Sequence, residues 1–218
     1  MASIFSAIMA DEMSSKPRMY TYDWQRYYTA RPSFAPKDTL MQALAHIHEQ
    51  GVTTPLVVDI GAGTGVESRW LLEQGAHVYA IEPHEAGIIA LQALAKEYPG
   101  QLEAIHARAE AAHLPSACHV VHAGCVFPFC AQDEVETILK HAFAALVPGG
   151  WLSTQLFGPE DSWARSGAAL GHTYEQVHTI LAQFQPLQIT EQNETGADAT
   201  GQPKHWHIWH ILAQKPLN

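Results

Sequence analysis

A β-branched run, Leu56-Val57-Val58-Asp59-Ile60, passes without a break into Gly61-Ala62-Gly63-Thr64-Gly65 and then into a stretch of helical period. The run reads as a buried strand. Three alternating glycines let the backbone turn tightly and approach a ligand with no Cβ in the way, and the N–H groups at the start of the next helix favour a carboxylate or phosphate. Strand, turn and helix in this order make the first half of a βαβ unit.

The rest of the chain repeats the rhythm. A helix from Gly65 to about Gln74 ends at Gly75, AHVYAI (76–81) is a second strand, and a helix covers roughly Glu85 to Lys96 before Tyr98-Pro99-Gly100. QLEAIHA and CHVVHAG (118–124) give strands three and four, Asp133 to Leu146 a helix stopped by Pro148-Gly149-Gly150, and WLSTQLF strand five. Strands alternating with helices at this spacing predict an α/β fold with a parallel sheet. After a helix near Tyr174 to Phe184, PLQITEQN and KHWHIWHILAQK flank a Gly-, Asp- and Thr-rich loop and predict a long antiparallel hairpin. Residues 1–50 read as an N-terminal extension with one helix, Asp38 to Glu49, and residues 51–218 as the ligand-binding domain.

Composition narrows the partners. With 12 Lys and Arg against 22 Asp and Glu the net charge is −10, which lacks the basic footprint of a nucleic-acid or anionic-membrane binder. The opening MASIFSAIMA has no basic residue before its apolar run, unlike a signal peptide, and no apolar run is long enough for a membrane span. Cys118, Cys125 and Cys130 are odd in number and lack C-x-x-C spacing, which suits reduced thiols. The expectation is a soluble, cytoplasmic protein whose oligomeric state the sequence does not specify.

Glu82 ends the second strand, where an acidic side chain can accept hydrogen bonds from both hydroxyls of a ribose. The ligand is therefore read as a nucleoside with an anionic end. A dinucleotide site wants G-x-G-x-x-G, but Val66 stands where the third glycine belongs, and no Gly-Lys-Ser/Thr follows for a Walker loop.

VVDIGAGTG and AIEP resemble motif I and the acidic post-strand-two position of class I S-adenosylmethionine-dependent methyltransferases. Ala109-Glu110 with Leu114-Pro115 resembles that family's adenine-site segment, HVVHAG its strand-four motif and LVPGGWL its entry to strand five. The resemblance implies a doubly wound, seven-stranded Rossmann-like sheet with an antiparallel last strand, and S-adenosylmethionine as cofactor. It places Gly61, Ala62, Gly63, Thr64 and Gly65 along the methionine moiety, Glu82 with Pro83 at the ribose, Ala109 and Glu110 at the adenine, and Ala123 and Gly124 under the sulfonium. Arg108 departs from the pattern, standing where the family often has an Asp that accepts from the adenine amino group. The tail, FGPEDSWA and then KHWHIWHILAQK, is similar to the tellurite-resistance methyltransferase-like group.

Other residues admit two readings each. Trp24, Tyr27, Tyr28 and Arg31 suit either a lid, with aromatic faces over the sulfonium and Arg31 on the methionine carboxylate, or an aromatic helix on the sheet edge. His205 and His207 share one strand face while His210 points the other way, and Cys118 with His122 lie opposite His119 with Cys125, so neither set converges on a metal and no metal site is expected. Asp161 and His172, beyond strand five, are the candidate catalytic groups that face the acceptor. Tyr28, Phe127, Phe129, Phe157 and Trp163 are candidate pocket walls. The reading is methyl transfer to a small-molecule acceptor by in-line displacement, which needs positioning and a dry site rather than an acid–base pair. Its alternative is a non-catalytic S-adenosylmethionine-binding module.

Overall fold

The computed structural model describes Trp24, Tyr28 and residues 35–217. The elements are α1 (Asp38–Glu49), β1 (Leu56–Ile60), α2 (Val66–Glu73), β2 (His77–Glu82), α3 (Glu85–Glu97), β3 (Leu102–His106), β4 (Cys118–Ala123), α4 (Gln132–Ala145), β5 (Leu146–Phe157), α5 (Ser162–Arg165), α6 (Tyr174–Ile180), β6 (Gln185–Ala197) and β7 (Pro203–Gln214). Short 3₁₀ turns cover Ala109–Ala111 and Phe127–Phe129.

One seven-stranded sheet has the order β3-β2-β1-β4-β5-β7-β6. β1 pairs in parallel with β2 and β4, and β4 with β5, whereas β7 pairs antiparallel with both β5 and β6. The strand order reverses between β1 and β4, so the crevice that accepts ligands in open α/β sheets lies at their carboxyl ends. The doubly wound architecture with an antiparallel last strand is thus the one expected from the resemblance.

Each face of the sheet buries its own core. In α1, Leu40, Ala43, Leu44 and Ile47 recur at helical spacing, and they pack with Leu71 and Leu72 of α2 and Ile88, Leu91 and Leu94 of α3. Val135, Ile138, Leu139 and Ala142 of α4 cover the other face with Val177 of α6. A boundary at residue 50 therefore falls between a helix and a strand that share one core. Among the described residues no helix is long and apolar enough to cross a membrane.

Two details depart from the sequence reading. β5 begins at Leu146 rather than Trp151, because Leu146 pairs with Cys118 while Gly149 N–H donates to Lys215 O and Lys215 N–H to Gly150 O, keeping the segment in the sheet. The same irregularity breaks the alternation in β4. Cys118 joins the core of Val121 and Ala123, and Val120 joins the opposite one, so Cys118 and His122 do not share a face. Burial pushes the thiols of Cys118 and Cys130 up to about 12, as expected of inert core cysteines.

Candidate functional site

The glycine turn is held by backbone. Gly61, Gly63 and Gly65 have φ of 68°, 55° and 85°, the left-handed region that a side chain disfavours. Gly61 N–H and Ala62 N–H both donate to Ile81 O, at 2.8 and 3.1 Å, which ties the turn to the end of β2. Ala62 is buried beneath the turn and Thr64 is exposed at its tip.

Glu82, the last residue of β2, is 2% exposed. Its Oε2 accepts Gly63 N–H at 2.9 Å, and its Oε1 accepts His84 N–H at 2.7 Å and the Tyr28 hydroxyl at 3.1 Å. A carboxylate offers about four acceptor positions, so these three bonds leave capacity at Oε2. Tyr28 also packs edge-on to His84, with ring centroids 5.6 Å apart, and a Cβ on Gly63 would come 3.3 Å from its ring. Pro83 follows, its carbonyl 3.0 Å from His106 Nε2. Arg31 and Tyr27 lie outside the described residues.

Three residues that the sequence reading passed over complete this corner. Gly87, in the first turn of α3, lies so close to the turn that a Cβ there would sit 2.6 Å from Glu82 Cγ and 2.8 Å from Gly63 O. Its only signal is a glycine inside a helical run. Asp59, buried in β1, accepts the Ser68 hydroxyl at 2.6 Å. Burial first, then the charge of Glu67, raises its carboxyl to about 8, with Ser68 opposing and Glu82 adding to the rise. At neutral pH it is protonated. The lone acid inside an apolar strand was the clue.

The adenine-side candidates sit in the Ala109–Ala111 turn. Arg108 ion-pairs with Glu110 through Nε and reaches Glu134 of α4 through Nη2 at 3.0 Å. Arg108 thus binds Glu110 to the fold, and Glu134 also accepts Ala131 N–H at the start of α4. Ala123 closes β4, its carbonyl accepting the Thr154 hydroxyl at 2.9 Å, and Gly124 lies against the His122 ring.

The structure does not bring Asp161 and His172 together. Asp161, fully buried, caps α5 by accepting Trp163 N–H at 2.9 Å, ion-pairs with Lys204 and accepts His207 N–H at 3.4 Å. The Lys204 ammonium lies 4.1 Å from the ring centroids of Trp163 and Trp206 and 5.0 Å from that of Phe157. Burial lowers its pKa, and Asp161 opposes the fall. His172 is tied to the other face of β7: its carbonyl accepts Trp209 Nε1–H at 2.8 Å and its Nε2 lies 3.3 Å from Gln132 Oε1. Burial lowers its pKa too.

Of the expected walls, Phe129, Phe157 and Trp163 form one cluster with centroid separations of 5.8 to 6.1 Å, and Trp24 packs on Phe129 at 5.5 Å. Phe127 instead belongs to the core beneath α4. Among the described residues no group of three or more His, Cys, Asp or Glu is placed to hold a metal ion.

Residues 57–150 match the family described as "Methyltransferase domain". A ribosomal RNA small subunit methyltransferase A from Bradyrhizobium sp. is 35% identical over 106 residues, 47% of this chain and 33% of that protein. The chain thus spans about a third of the length of this curated relative. TehB from Haemophilus influenzae shares the fold with a TM-score of 0.64 and 16% identity over 80% of this chain and 62% of its own. Magnesium protoporphyrin IX methyltransferase from Synechocystis, with bound S-adenosylhomocysteine, does so with a TM-score of 0.67 and 16% identity over 90% and 95%. A glycine turn clamped to a carboxylate at the end of β2, within this sheet and over residues that match this family, makes residues 57–150 a methyltransferase domain similar to the class I S-adenosylmethionine-dependent methyltransferases.

Proposed function

We propose that the protein transfers the methyl group of S-adenosylmethionine to a small-molecule acceptor. The observation that carries the cofactor part is Glu82, held by Gly63 N–H and His84 N–H with acceptor capacity to spare for a ribose hydroxyl. The residues present fit the nucleoside: the left-handed glycines keep side chains off the cradle, and Tyr28 lies over Gly63. Gly61 to Gly65 line the methionine moiety, Pro83 flanks the ribose, Ala109 and Glu110 border the adenine, and Ala123 and Gly124 lie under the sulfonium. When bound, the cofactor supplies an electrophilic sulfonium methyl. Position and exclusion of water then govern the rate. The protonated Asp59 keeps a second negative charge away from Glu82. Asp161 acts by capping α5 and holding Lys204 in its aromatic surround, which shapes the acceptor end of the crevice; His172 braces the opposite face.

The small-molecule acceptor is supported by the net charge of −10, by the aromatic cluster of Phe129, Phe157 and Trp163, and by the porphyrin named for the Synechocystis neighbour. The ribosomal RNA named for the curated relative favours a second reading, methylation of RNA, over the part of the chain that the two share. An acceptor screen read by release of S-adenosylhomocysteine decides between them. Turnover with small molecules and none with purified RNA, DNA or protein is expected; turnover confined to RNA would overturn the small-molecule reading. Binding of S-adenosylhomocysteine without turnover on any acceptor would favour a non-catalytic module.

A further inference from the structure

Where β4 and β5 end, on the side of the sheet that α1 covers, four buried polar side chains form a network with no part in the reading above. Gln155 Nε2–H donates to Thr39 Oγ1 at 3.0 Å, and the Ser153 hydroxyl donates to the same oxygen at 2.9 Å. His122 Nδ1 lies 3.0 Å from Ser153 Oγ. With the Ser153 proton directed at Thr39, Nδ1–H is the donor of that contact. Burial lowers the His122 pKa to about 4, Glu67 of α2 opposing the fall and Lys37 ahead of α1 adding to it, so the ring is neutral near pH 7. A neutral imidazole protonated at Nδ1 presents Nε2 as a bare lone pair.

Two atoms of this network lack a hydrogen-bond partner: His122 Nε2 and Gln155 Oε1. Their side chains belong to residues 1% and 0% exposed. Unpaired buried polar atoms cost stability and are rare in native proteins, so two on one connected network call for an occupant. Their position suggests which. A Cβ on Gly124 would lie 2.8 Å from His122 Nε2, and Gln155 stands one residue beyond the Ala123–Thr154 pair, at the crevice end of the strands.

With Nδ1 carrying the His122 proton and the Gln155 amide nitrogen turned to Thr39, both unpaired atoms are acceptors. We infer that His122 Nε2 and Gln155 Oε1 form a buried subsite for a hydrogen-bond donor group of a ligand, an amine, ammonium or hydroxyl. The inference rests on the proposed methyl transfer for its two candidate sources: an N–H or O–H of the methyl acceptor, or the α-ammonium of the cofactor.

The test uses Gln155→Met, which keeps the side-chain length, and His122→Phe, which keeps the ring. Wild type and both variants are compared by thermal unfolding, by calorimetry with S-adenosylhomocysteine and its deaminated analogue, and by turnover on a panel of primary amines, phenols and the oxyanions selenite and tellurite. Gln155→Met removes the unpaired carbonyl together with the Nε2–H bond to Thr39, so the Tm of the free protein is measured first to establish that the variant is folded. If the subsite takes the cofactor ammonium, the Kd of S-adenosylhomocysteine rises about tenfold in the variants while that of the deaminated analogue stays. If it takes the acceptor, both Kd values stay and the KM for an amine or phenol rises about tenfold. Unchanged Kd values with unchanged KM, or with a wild type that methylates no amine or phenol, overturn the inference; water alone would then fill the subsite. Wild-type protein that fails to bind S-adenosylhomocysteine at all would instead sink the methyl-transfer reading.

Discussion

The two ends of the crevice are built in opposite ways. At the β1–β2 end, Gly61, Gly63, Glu82, His84 and Gly87 belong to the continuous run from β1 to the first turn of α3, and backbone N–H groups make two of the three bonds to Glu82. At the β5–β7 end, groups far apart in sequence hold one another: the side chains of Thr39 and Gln155, those of Asp161 and Lys204, and the Trp209 indole on the His172 carbonyl. Backbone donors survive most substitutions, so the first end resists change except at its glycines and Glu82. The second depends on a few buried polar pairs, and removing one partner strands the other.

That contrast can be broken most forcefully at Lys204. Lys204→Met should leave a buried Asp161 unpaired and cost about 3 to 5 kcal/mol. At about 2 to 4 °C per kcal/mol for a chain of this size, the Tm falls by roughly 6 to 20 °C. Adding Asp161→Asn should recover part of the loss. A single variant within about 1 kcal/mol of wild type would show that the pair does not hold this end.

The β1–β2 end should respond in affinity rather than in folding. Gly87→Val forces a side chain onto Glu82 and Gly63 O, and overpacking of about 1 to 3 kcal/mol weakens S-adenosylhomocysteine binding about ten- to a hundredfold. Glu82→Ala removes charge-assisted bonds worth about 1.5 to 3 kcal/mol each, with a similar loss measured by calorimetry. An unchanged Kd in a folded Glu82 variant would refute the ribose role. The smallest effect is expected from Asp59→Asn. The folded pKa of Asp59 lies above its unfolded value, about 8 against 3.8, so the native state holds a proton that the unfolded state releases, and stability falls as pH rises from 4 toward 8. The amide cannot titrate. Denaturant unfolding between pH 6.5 and 8, above the range where His122 contributes, should show a flatter profile in the variant, because the wild type alone loses about 1.5 kcal/mol from this group over that range.

Much of the cofactor end was legible because its signals are local. The turn, its helix and Glu82 follow from glycine spacing and from the acid that closes a strand. Gly87 was missed because a glycine in a helical run signals a close approach without naming the partner, which only the packing of α3 on Glu82 supplies. The acceptor end was harder to read. Asp161 and His172 were singled out as candidate catalytic groups facing the acceptor, yet the fold sends them to opposite faces of β7, and Lys204, the ion-pair partner of Asp161, sits 43 residues away. The Cys118 face was misassigned because strand alternation assumes an unbroken ladder, and residues 147–150 of β5 break it opposite His119.

By itself the sequence determined the α/β class, the order of strands and helices, the left-handed glycine turn and the acid at the end of β2. These depend on periodicity, glycine stereochemistry and contacts within one βαβ unit. Only the tertiary structure decided which polar groups meet at the ends of β4, β5 and β7, which carboxyl carries a proton, and which acceptors of the Thr39 network lack partners. Desolvation is a property of the assembled interior: a side chain's pKa and its hydrogen-bond count depend on what surrounds it after elements distant in sequence have packed.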